Sequence, residues 1–249
     1  NENPYLDNQL KQLEMQFNAT KQRLGNKFGT QKFIVYFQSF TNTYAPFSTL
    51  KALYEKALSF DNVIGLSIGT RTDCVTDEIL DYLVDLSKTK EIWIEYGIQS
   101  FFDETLVRIN RGDNSANMKY WIKRSKEKGL NVCGHLIYGL PGENQEMMLE
   151  TFKQTLQLNI DSIKFHPLYV VKNTLLTNEF KKGKFNPISE ELYIDTVVKS
   201  IINLPSNISV QRVTAGIDDS TLLSPEWCRN KHTQMKNIRL ALEKEGFNY

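Results

Sequence analysis

Short apolar runs alternate with amphipathic segments along most of the 249 residues, and this alternation restricts the fold more than any other feature of the sequence. The runs are rich in β-branched and aromatic residues, as buried strands are, and the segments between them repeat apolar residues at helical spacing. Strands joined by helical crossovers form a parallel sheet that helices cover. The sequence therefore predicts an α/β fold whose sheet is either open and doubly wound or curved into a barrel. The predicted strands are residues 33–38, 63–68, 92–98, 131–138, 162–166 and 208–213.

The two ends of the chain lie outside this alternation. An amphipathic helix is predicted from Leu6 to about Gly25, before the first strand. After Val213 the alternation stops, residues 224–226 have the pattern of a capped helix start, and apolar residues at 235–242 predict a final amphipathic helix. We interpret this last segment as an extension that covers the core.

The charge balance excludes one broad class of function. Lys and Arg total 30 and Asp and Glu total 29, so the net charge is +1. This balance argues against a nucleic-acid binder that acts through bulk positive charge, but it leaves discrete contacts to RNA or DNA open. No apolar run reaches the roughly 18 residues of a membrane span, and no signal-peptide pattern opens the chain. We therefore predict a cytoplasmic protein with no membrane association.

The three cysteines, Cys74, Cys133 and Cys228, are far apart in the sequence. A disulfide framework needs paired cysteines, and an iron–sulfur or zinc site usually shows a short spacing such as C-x₂-C. The cysteine pattern therefore predicts three reduced thiols and no metal site in this chain.

Polar side chains follow each of the first five predicted strands. Because ligands bind at the carboxyl ends of parallel strands, these residues are candidates for one shared site. The sequence contains no G-x-G-x-x-G, phosphate-binding P-loop, G-x-S-x-G or H-E-x-x-H motif, so residue types alone indicate a small-molecule or cofactor site without naming a reaction. The candidates are the segment 38–44, Arg71, Glu95, Gln99, His135, Lys164 and His166.

Each candidate also has a purely structural interpretation. Glu95 fits a general base as well as it fits a buried ion pair. Residues 139–142 fit a tight turn that leads into a helix. His135 and His166 fit hydrogen-bonded strand-end histidines, and Arg111 fits a charge that offsets a helix dipole. Their position at one edge of the predicted sheet, strand after strand, favours a site.

Five strings at these strand ends resemble the radical SAM superfamily. They occur in the family's order, and the resemblance extends over about residues 30 to 215. The most similar branch comprises iron–sulfur oxidoreductases related to the oxygen-independent coproporphyrinogen oxidases and the elongator-type tRNA enzymes. The strings are YFQSFTNTYAP at 36–46, GLSIGTRTD at 65–73, EYGIQS at 95–100, INRG at 109–112 and HLIYGLPGE at 135–143.

The resemblance implies a partial parallel (βα)₆ TIM-like barrel. Compared with the family, this chain lacks the first strand and carries a C-terminal helical extension. The implied division is a radical SAM-like partial barrel over residues 1–215 and an extension over residues 216–249 that packs on it.

The resemblance also implies a site for S-adenosylmethionine (SAM). Gln99 matches a ribose-contacting glutamine, Arg111 an arginine at the methionine carboxylate, His135 a polar ribose contact, and Ile137 a backbone contact with adenine. Residues 39–43 stand where the family's Gly-Gly segment binds the methionine amino group. The implied cofactor-binding set is Thr41, Asn42, Gln99, Arg111, His135, Ile137 and Gly139.

Four other residues at the strand ends have no implied SAM contact and are expected to face a substrate. Their chemistry implies an anionic or nucleotide-like group on that substrate. They are Arg71, Glu95, Lys164 and His166.

The sequence departs from the family at the cluster-binding loop. The family binds a [4Fe–4S] cluster through C-x₃-C-x₂-C, and this chain has no such string. Because the chain also begins at Asn1, the expectation is a fragment of a longer enzyme in which only the full-length parent holds the cluster. The fragment is then expected to be inactive and to bind SAM weakly, with the adenosyl half held best. Its first strand is expected at an open sheet edge, where self-association covers it.

Two other functions stay open. One is a catalytically silent binding or scaffolding domain on the same fold, which the absent cysteines favour. The other is a TIM-barrel lyase or aldolase that uses Lys164 as a Schiff-base lysine. A C-x₃-C-x₂-C string in the upstream reading frame favours the radical enzyme, which in the parent converts SAM reductively into a 5′-deoxyadenosyl radical.

Overall fold

The computed structural model describes residues 4–38 and 40–247. Its strands agree with the predicted ones to within two residues, and two further short strands appear after the fifth. The six long strands form one sheet in the order β1-β2-β3-β4-β5-β7, and a two-stranded antiparallel sheet joins β6 to β8. The strands are β1 (Phe33–Phe37), β2 (Val63–Thr70), β3 (Glu91–Gln99), β4 (Asn131–Tyr138), β5 (Ser162–Pro167), β6 (Val170–Val171), β7 (Ser209–Arg212) and β8 (Leu222–Ser224).

Parallel pairing holds between β1 and β2, β2 and β3, β4 and β5, and β5 and β7. The predicted parallel α/β fold is therefore confirmed. Gly65 permits the close approach of β2 to β3, because a Cβ at that position would lie 1.9 Å from the carbonyl oxygen of Glu91. Within the described residues β1 ends the strand order, as predicted for residues 33–38, and self-association through that edge stays a prediction.

Nine helices are present in the described parts of the chain. Thr76, Asn144 and Ser189 each accept a hydrogen bond from a backbone N–H of the first turn, which is how these polar residues start helices. The helices are α1 (Pro4–Phe28), α2 (Phe47–Leu58), α3 (Asp77–Ser87), α4 (Asp103–Arg108), α5 (Ser115–Glu127), α6 (Gln145–Leu156), α7 (Leu175–Lys181), α8 (Glu190–Ile202) and α9 (Lys231–Lys244).

Two helix boundaries differ from the predictions. Helix α1 continues past Gly25 to Phe28 and ends at Gly29, whose φ is 63°. The capped helix start predicted at residues 224–226 is confirmed only in part: a short 3-10 helix, Glu226–Arg229, begins there, but Pro225 at its start makes no side-chain capping hydrogen bond. Asn230 caps the final helix instead, accepting a hydrogen bond from the Thr233 N–H at 3.0 Å.

The chain divides into two compact units. The first comprises residues 1–96 and 121–132, and its core forms where β2 and α3 bury Leu66, Ile68, Leu80 and Leu83 completely. Helix α1 buries none of its residues, although Phe17 stacks on Phe60 with ring centroids 4.5 Å apart.

The second unit comprises residues 97–120 and 133–249. Its core is aromatic: the Tyr138 ring lies 5.4 Å from the Phe165 ring and 6.3 Å from the Tyr193 ring. The buried Tyr138 hydroxyl is hydrogen-bonded to Ser200 Oγ at 2.8 Å, so this polar group is not left unsatisfied in the core.

None of the described helices combines the length and the apolar content that crossing a membrane requires.

Candidate functional site

In the first unit, Asn42 connects the ends of two strands. Its side-chain amide donates to the carbonyl oxygens of Phe37, at 3.0 Å, and Gly69, at 2.8 Å, and its own carbonyl accepts from the Tyr54 hydroxyl. These bonds hold the segment after β1 against the end of β2. The amide N–H groups of Asn42 therefore have a structural role, and the cofactor contacts implied for Thr41 and Asn42 stay predictions. Ser39 lies outside the described residues.

Glu95 is the buried carboxylate of the first unit. It is 2% exposed in β3, and its Oε2 accepts from the Tyr36 hydroxyl at 2.9 Å while its Oε1 accepts from Ser67 Oγ. Hydroxyls from β1 and β2 thus compensate part of the cost of removing a charged group from water. A carboxylate held in this way can accept a proton or bind a donor group of a ligand.

Arg71 forms a local ion pair. Its Nε and Nη2 donate to the two carboxylate oxygens of Asp73 at 2.7 and 2.5 Å. This bidentate geometry occupies one side of the guanidinium group. The substrate-side role of Arg71 stays a prediction, and any anion it contacts competes with Asp73.

In the second unit, Gln99 ends β3 in an unusual conformation. Its φ is 68°, in the left-handed region where glutamine is uncommon, and the Ser100 N–H donates to the Ile98 carbonyl across it at 2.9 Å. The Gln99 Oε1 atom is buried and has no hydrogen-bond partner in the described residues. A strained backbone and an unsatisfied acceptor together mark a place where a ligand hydroxyl or N–H can bind.

Arg111 lies beside the same strand end. Helix α4 ends just before it, Asn110 has a φ of 52°, and the Arg111 N–H closes the end of the helix by donating to the Leu106 carbonyl at 2.9 Å. The Arg111 Nη2 atom donates to the Gly97 carbonyl at 2.5 Å. The structure thus brings Gln99 and Arg111 to the same strand end, and the side chain of Arg111 binds β3 rather than its own helix.

Strands β4 and β5 present further predicted residues side by side. His135 is in register with Lys164, and Ile137 with His166. Residues in register in parallel strands project to the same face, so these four side chains share one face of the sheet. Lys164 is 6% exposed, which makes it the most deeply buried cation described in this unit.

His166 is held neutral at this face. Its pKa is lowered to about 4, mainly by burial, with a smaller contribution from the electrostatic effect of Arg212 and His135, and a hydrogen bond to the Pro167 carbonyl partly opposes the shift. The Nδ1 atom is 2.7 Å from that carbonyl oxygen, so Nδ1 carries the proton and Nε2 is the acceptor. A neutral imidazole with this tautomer can accept a proton from a ligand.

Arg212 is the residue that sequence reasoning missed. It lies on β7 in register with Lys164, and its charge acts on His166 and Tyr169. The signal is present in the sequence, because Arg212 is the penultimate residue of the predicted strand 208–213, but the candidate set covers only the ends of the first five strands.

Gly139 starts a turn after β4. Its φ is 90°, and a Cβ there would lie 2.8 Å from the Cβ of Ile188, so only glycine fits. The turn leads to Glu143, whose pKa is raised because burial outweighs the hydrogen bonds from Ser100 and Thr105. The turn interpretation of residues 139–142 is thus supported, and a cofactor contact from Gly139 stays a prediction.

Comparison with known proteins identifies the family. The sequence matches the radical SAM superfamily over residues 9–155 and the radical SAM C-terminal domain over residues 160–244. It is 37% identical over 217 residues to the protein YhcC of Escherichia coli K12, covering 87% of this chain and 70% of that protein.

Two solved structures share the fold. The archaeal Elp3 of Methanocaldococcus infernus superposes with a TM-score of 0.81 at 21% identity, over 95% of this chain and 60% of that chain. Coproporphyrinogen III oxidase (HemN) from E. coli, a radical SAM enzyme, superposes with a TM-score of 0.53 at 19% identity, over 78% of this chain and 46% of that chain.

The chain therefore belongs to the radical SAM superfamily, and the predicted partial TIM-like barrel is confirmed as its fold class. Membership implies SAM and a [4Fe–4S] cluster, and the residues of this chain fit the two differently. The unsatisfied Gln99 Oε1 fits a hydroxyl donor such as a SAM ribose. The cluster has no matching ligand set, because C-x₃-C-x₂-C is absent from the sequence and burial raises the pKa of the Cys228 thiol to about 12, which disfavours an iron-binding thiolate.

Proposed function

We propose that this chain binds SAM at the end of β3 and serves radical chemistry on a substrate that carries an anionic or nucleotide-like group. Gln99 carries the proposal, since its buried Oε1 has no hydrogen-bond partner in the described residues and can accept a hydrogen bond from a ribose hydroxyl. In such enzymes SAM, when bound and reduced by one electron from the [4Fe–4S] cluster, would supply a radical that takes a hydrogen atom from the substrate. Because this chain has no ligand set for the cluster, that electron would have to come from a cluster held outside these residues.

The other residues of the second unit support this assignment. Arg111 lies at the same strand end, where its Nη2 atom holds the Gly97 carbonyl, and a guanidinium group is suited to bind the methionine carboxylate. His135 and Ile137 lie on one face of β4, where a polar and an apolar contact suit ribose and adenine. In the first unit, the SAM contacts of Thr41 and Asn42 stay predictions of their own.

The substrate side rests on charge at the ends of β5 and β7. Lys164 and Arg212 are in register, and His166, two residues further along β5, offers a neutral Nε2 acceptor. Two cations beside a neutral base suit a phosphate or carboxylate together with a proton that must be removed.

The test is SAM affinity by calorimetry with the wild-type chain and the variant Gln99→Gly. Glycine adopts a positive φ readily, so this variant removes the amide without adding strain. One neutral hydrogen bond contributes about 0.5–1.5 kcal/mol, so SAM binding is expected to weaken roughly twofold to tenfold. S-adenosylhomocysteine has the same ribose, so its affinity for Gln99→Gly is expected to decrease by the same factor. Methionine has no ribose, so its affinity is expected to stay unchanged.

Gln157→Ala provides the matched control, because it deletes the same group from an exposed position at the end of α6. Equal SAM affinity of the wild-type and Gln99→Gly chains would remove Gln99 from the site. Absence of SAM binding to the wild-type chain would favour the silent binding or scaffolding domain, which the missing cluster ligands also favour.

A further inference from the structure

A groove of about 630 Å³ lies between β7 and α9 in the second unit. Five of its lining residues carry basic side chains, and no Asp or Glu lines it. The chain as a whole has a net charge of only +1, so this groove concentrates positive charge locally. The five residues are Arg212 on β7 and Lys231, His232, Lys236 and Arg239 on α9.

Little carboxylate charge neutralises these cations. Arg239 approaches Glu243 at 3.6 Å, and both side chains are about half exposed, a geometry that contributes little in water. Within residues 4–38 and 40–247, Arg212, Lys231 and Lys236 form no ion pair. The groove therefore keeps a positive potential that an anionic ligand can use.

The spacing of the cations indicates an extended ligand. Lys231 and Arg239 are eight positions apart on one helix, which corresponds to about 12 Å at 1.5 Å per residue. A single phosphate or carboxylate would need donors that converge on one point, whereas these lie in a row. Met235 is 46% exposed within the row and offers an apolar surface between the charges.

We propose that this groove binds the sugar–phosphate backbone of a single-stranded nucleic acid. Successive phosphates face the row of cations on α9 and Arg212, and Met235 packs against a base or sugar. Regular negative charges joined by partly apolar units match this arrangement. The even overall charge argues against binding through bulk positive charge but is compatible with this discrete contact. The proposal does not depend on SAM binding.

The probe is a fluorescein-labelled single-stranded RNA of mixed sequence and about 20 nucleotides, followed by anisotropy over a range of NaCl concentrations. Each neutralised phosphate contributes a slope of about −0.7 to the logarithmic salt dependence of binding, so four cations give about −3. The variant Lys236→Gln/Arg239→Gln is expected to weaken binding roughly tenfold, whatever the RNA sequence, and to reduce the slope by about 1.4.

The control Lys181→Gln/Lys182→Gln makes the same charge change at two exposed positions around the end of α7, outside the groove, and is expected to leave the salt slope unchanged. Equal binding by the wild type and the groove variant overturns the proposal, as does absence of RNA binding. If poly-glutamate binds as tightly as RNA, the groove is a site for acidic polypeptides. If millimolar inorganic phosphate displaces RNA and the salt slope is near −0.7, the groove is a site for a single anion. Either result also overturns the proposal.

Discussion

Replacing Tyr36 by Phe and Ser67 by Ala in one chain is expected to lower the free energy of unfolding by about 3–5 kcal/mol. Both hydroxyls donate to the carboxylate of Glu95, which is 2% exposed. A hydrogen bond to a charged group contributes about 1.5–3 kcal/mol, and a buried carboxylate that loses these two donors retains more of its desolvation penalty. Urea denaturation of the double variant measures the loss.

A variant at Glu95 separates this electrostatic effect from lost packing. In a chain that also carries Glu95→Gln, the same two substitutions are expected to lower the free energy of unfolding markedly less, because a neutral amide depends less on the hydroxyl donors. The exposed pair Tyr5→Phe/Ser206→Ala makes the same chemical changes and is expected to stay within about 0.5 kcal/mol of the wild type. A cost below about 1 kcal/mol for Tyr36→Phe/Ser67→Ala would show that these hydroxyls do not hold the carboxylate.

The second large effect is a loss of stability in acid that depends on His166. Its pKa is lowered to about 4 in the folded chain by burial, against about 6.5 when unfolded. As the pH falls, the unfolded chain therefore binds a proton at this histidine before the folded chain does. The contribution of neutral His166 to the free energy of unfolding is fully present above about pH 6.5. It is lost as the pH falls from there through about 4, and the total loss is about 3 kcal/mol. Below that pH the contribution is constant.

The measurement is the difference between wild type and His166→Gln in free energy of unfolding from pH 7 to pH 4. Subtracting the two curves removes the carboxylates that titrate in the same range, such as Asp77 and Asp195, whose pKa values are lowered by basic partners. The difference is expected to decrease by about 3 kcal/mol toward pH 4. His232→Gln, at an exposed position, is expected to follow the wild type. Parallel curves for wild type and His166→Gln would contradict the burial of a neutral imidazole.

The elements of the fold could be predicted because their signals are local. Residues 63–68 and 92–98 could be predicted as strands because a short, largely apolar run rich in β-branched residues is typical of a strand buried on both faces. Thr76 and Ser189 start helices because an N-cap needs only its own side chain and the next three residues. The short elements β6, β8 and α7 escaped prediction because two to seven residues carry too little periodicity.

The candidate site was predictable only as a set of residues. Their position after successive strands followed from the rule that ligands bind at the carboxyl ends of a parallel sheet. What each side chain contacts did not follow. Arg71 turned out to pair with Asp73, and the Asn42 amide binds two backbone carbonyls. Both outcomes depend on rotamers and on neighbouring loops rather than on spacing.

The sequence by itself determined the α/β class, the order of the six long strands and of every helix except α7, and the membership of the radical SAM superfamily. It could do so because periodicity, helix caps and short motifs are properties of consecutive residues. Only the tertiary structure decided which side chains meet. The register of β4, β5 and β7 brought Arg212 to Lys164 and His166, and the packing of α9 beside β7 formed the basic groove. These contacts join residues dozens of positions apart. They depend on the register of neighbouring strands and on the packing of helices against the sheet, and neither can be predicted from a pattern of consecutive residues.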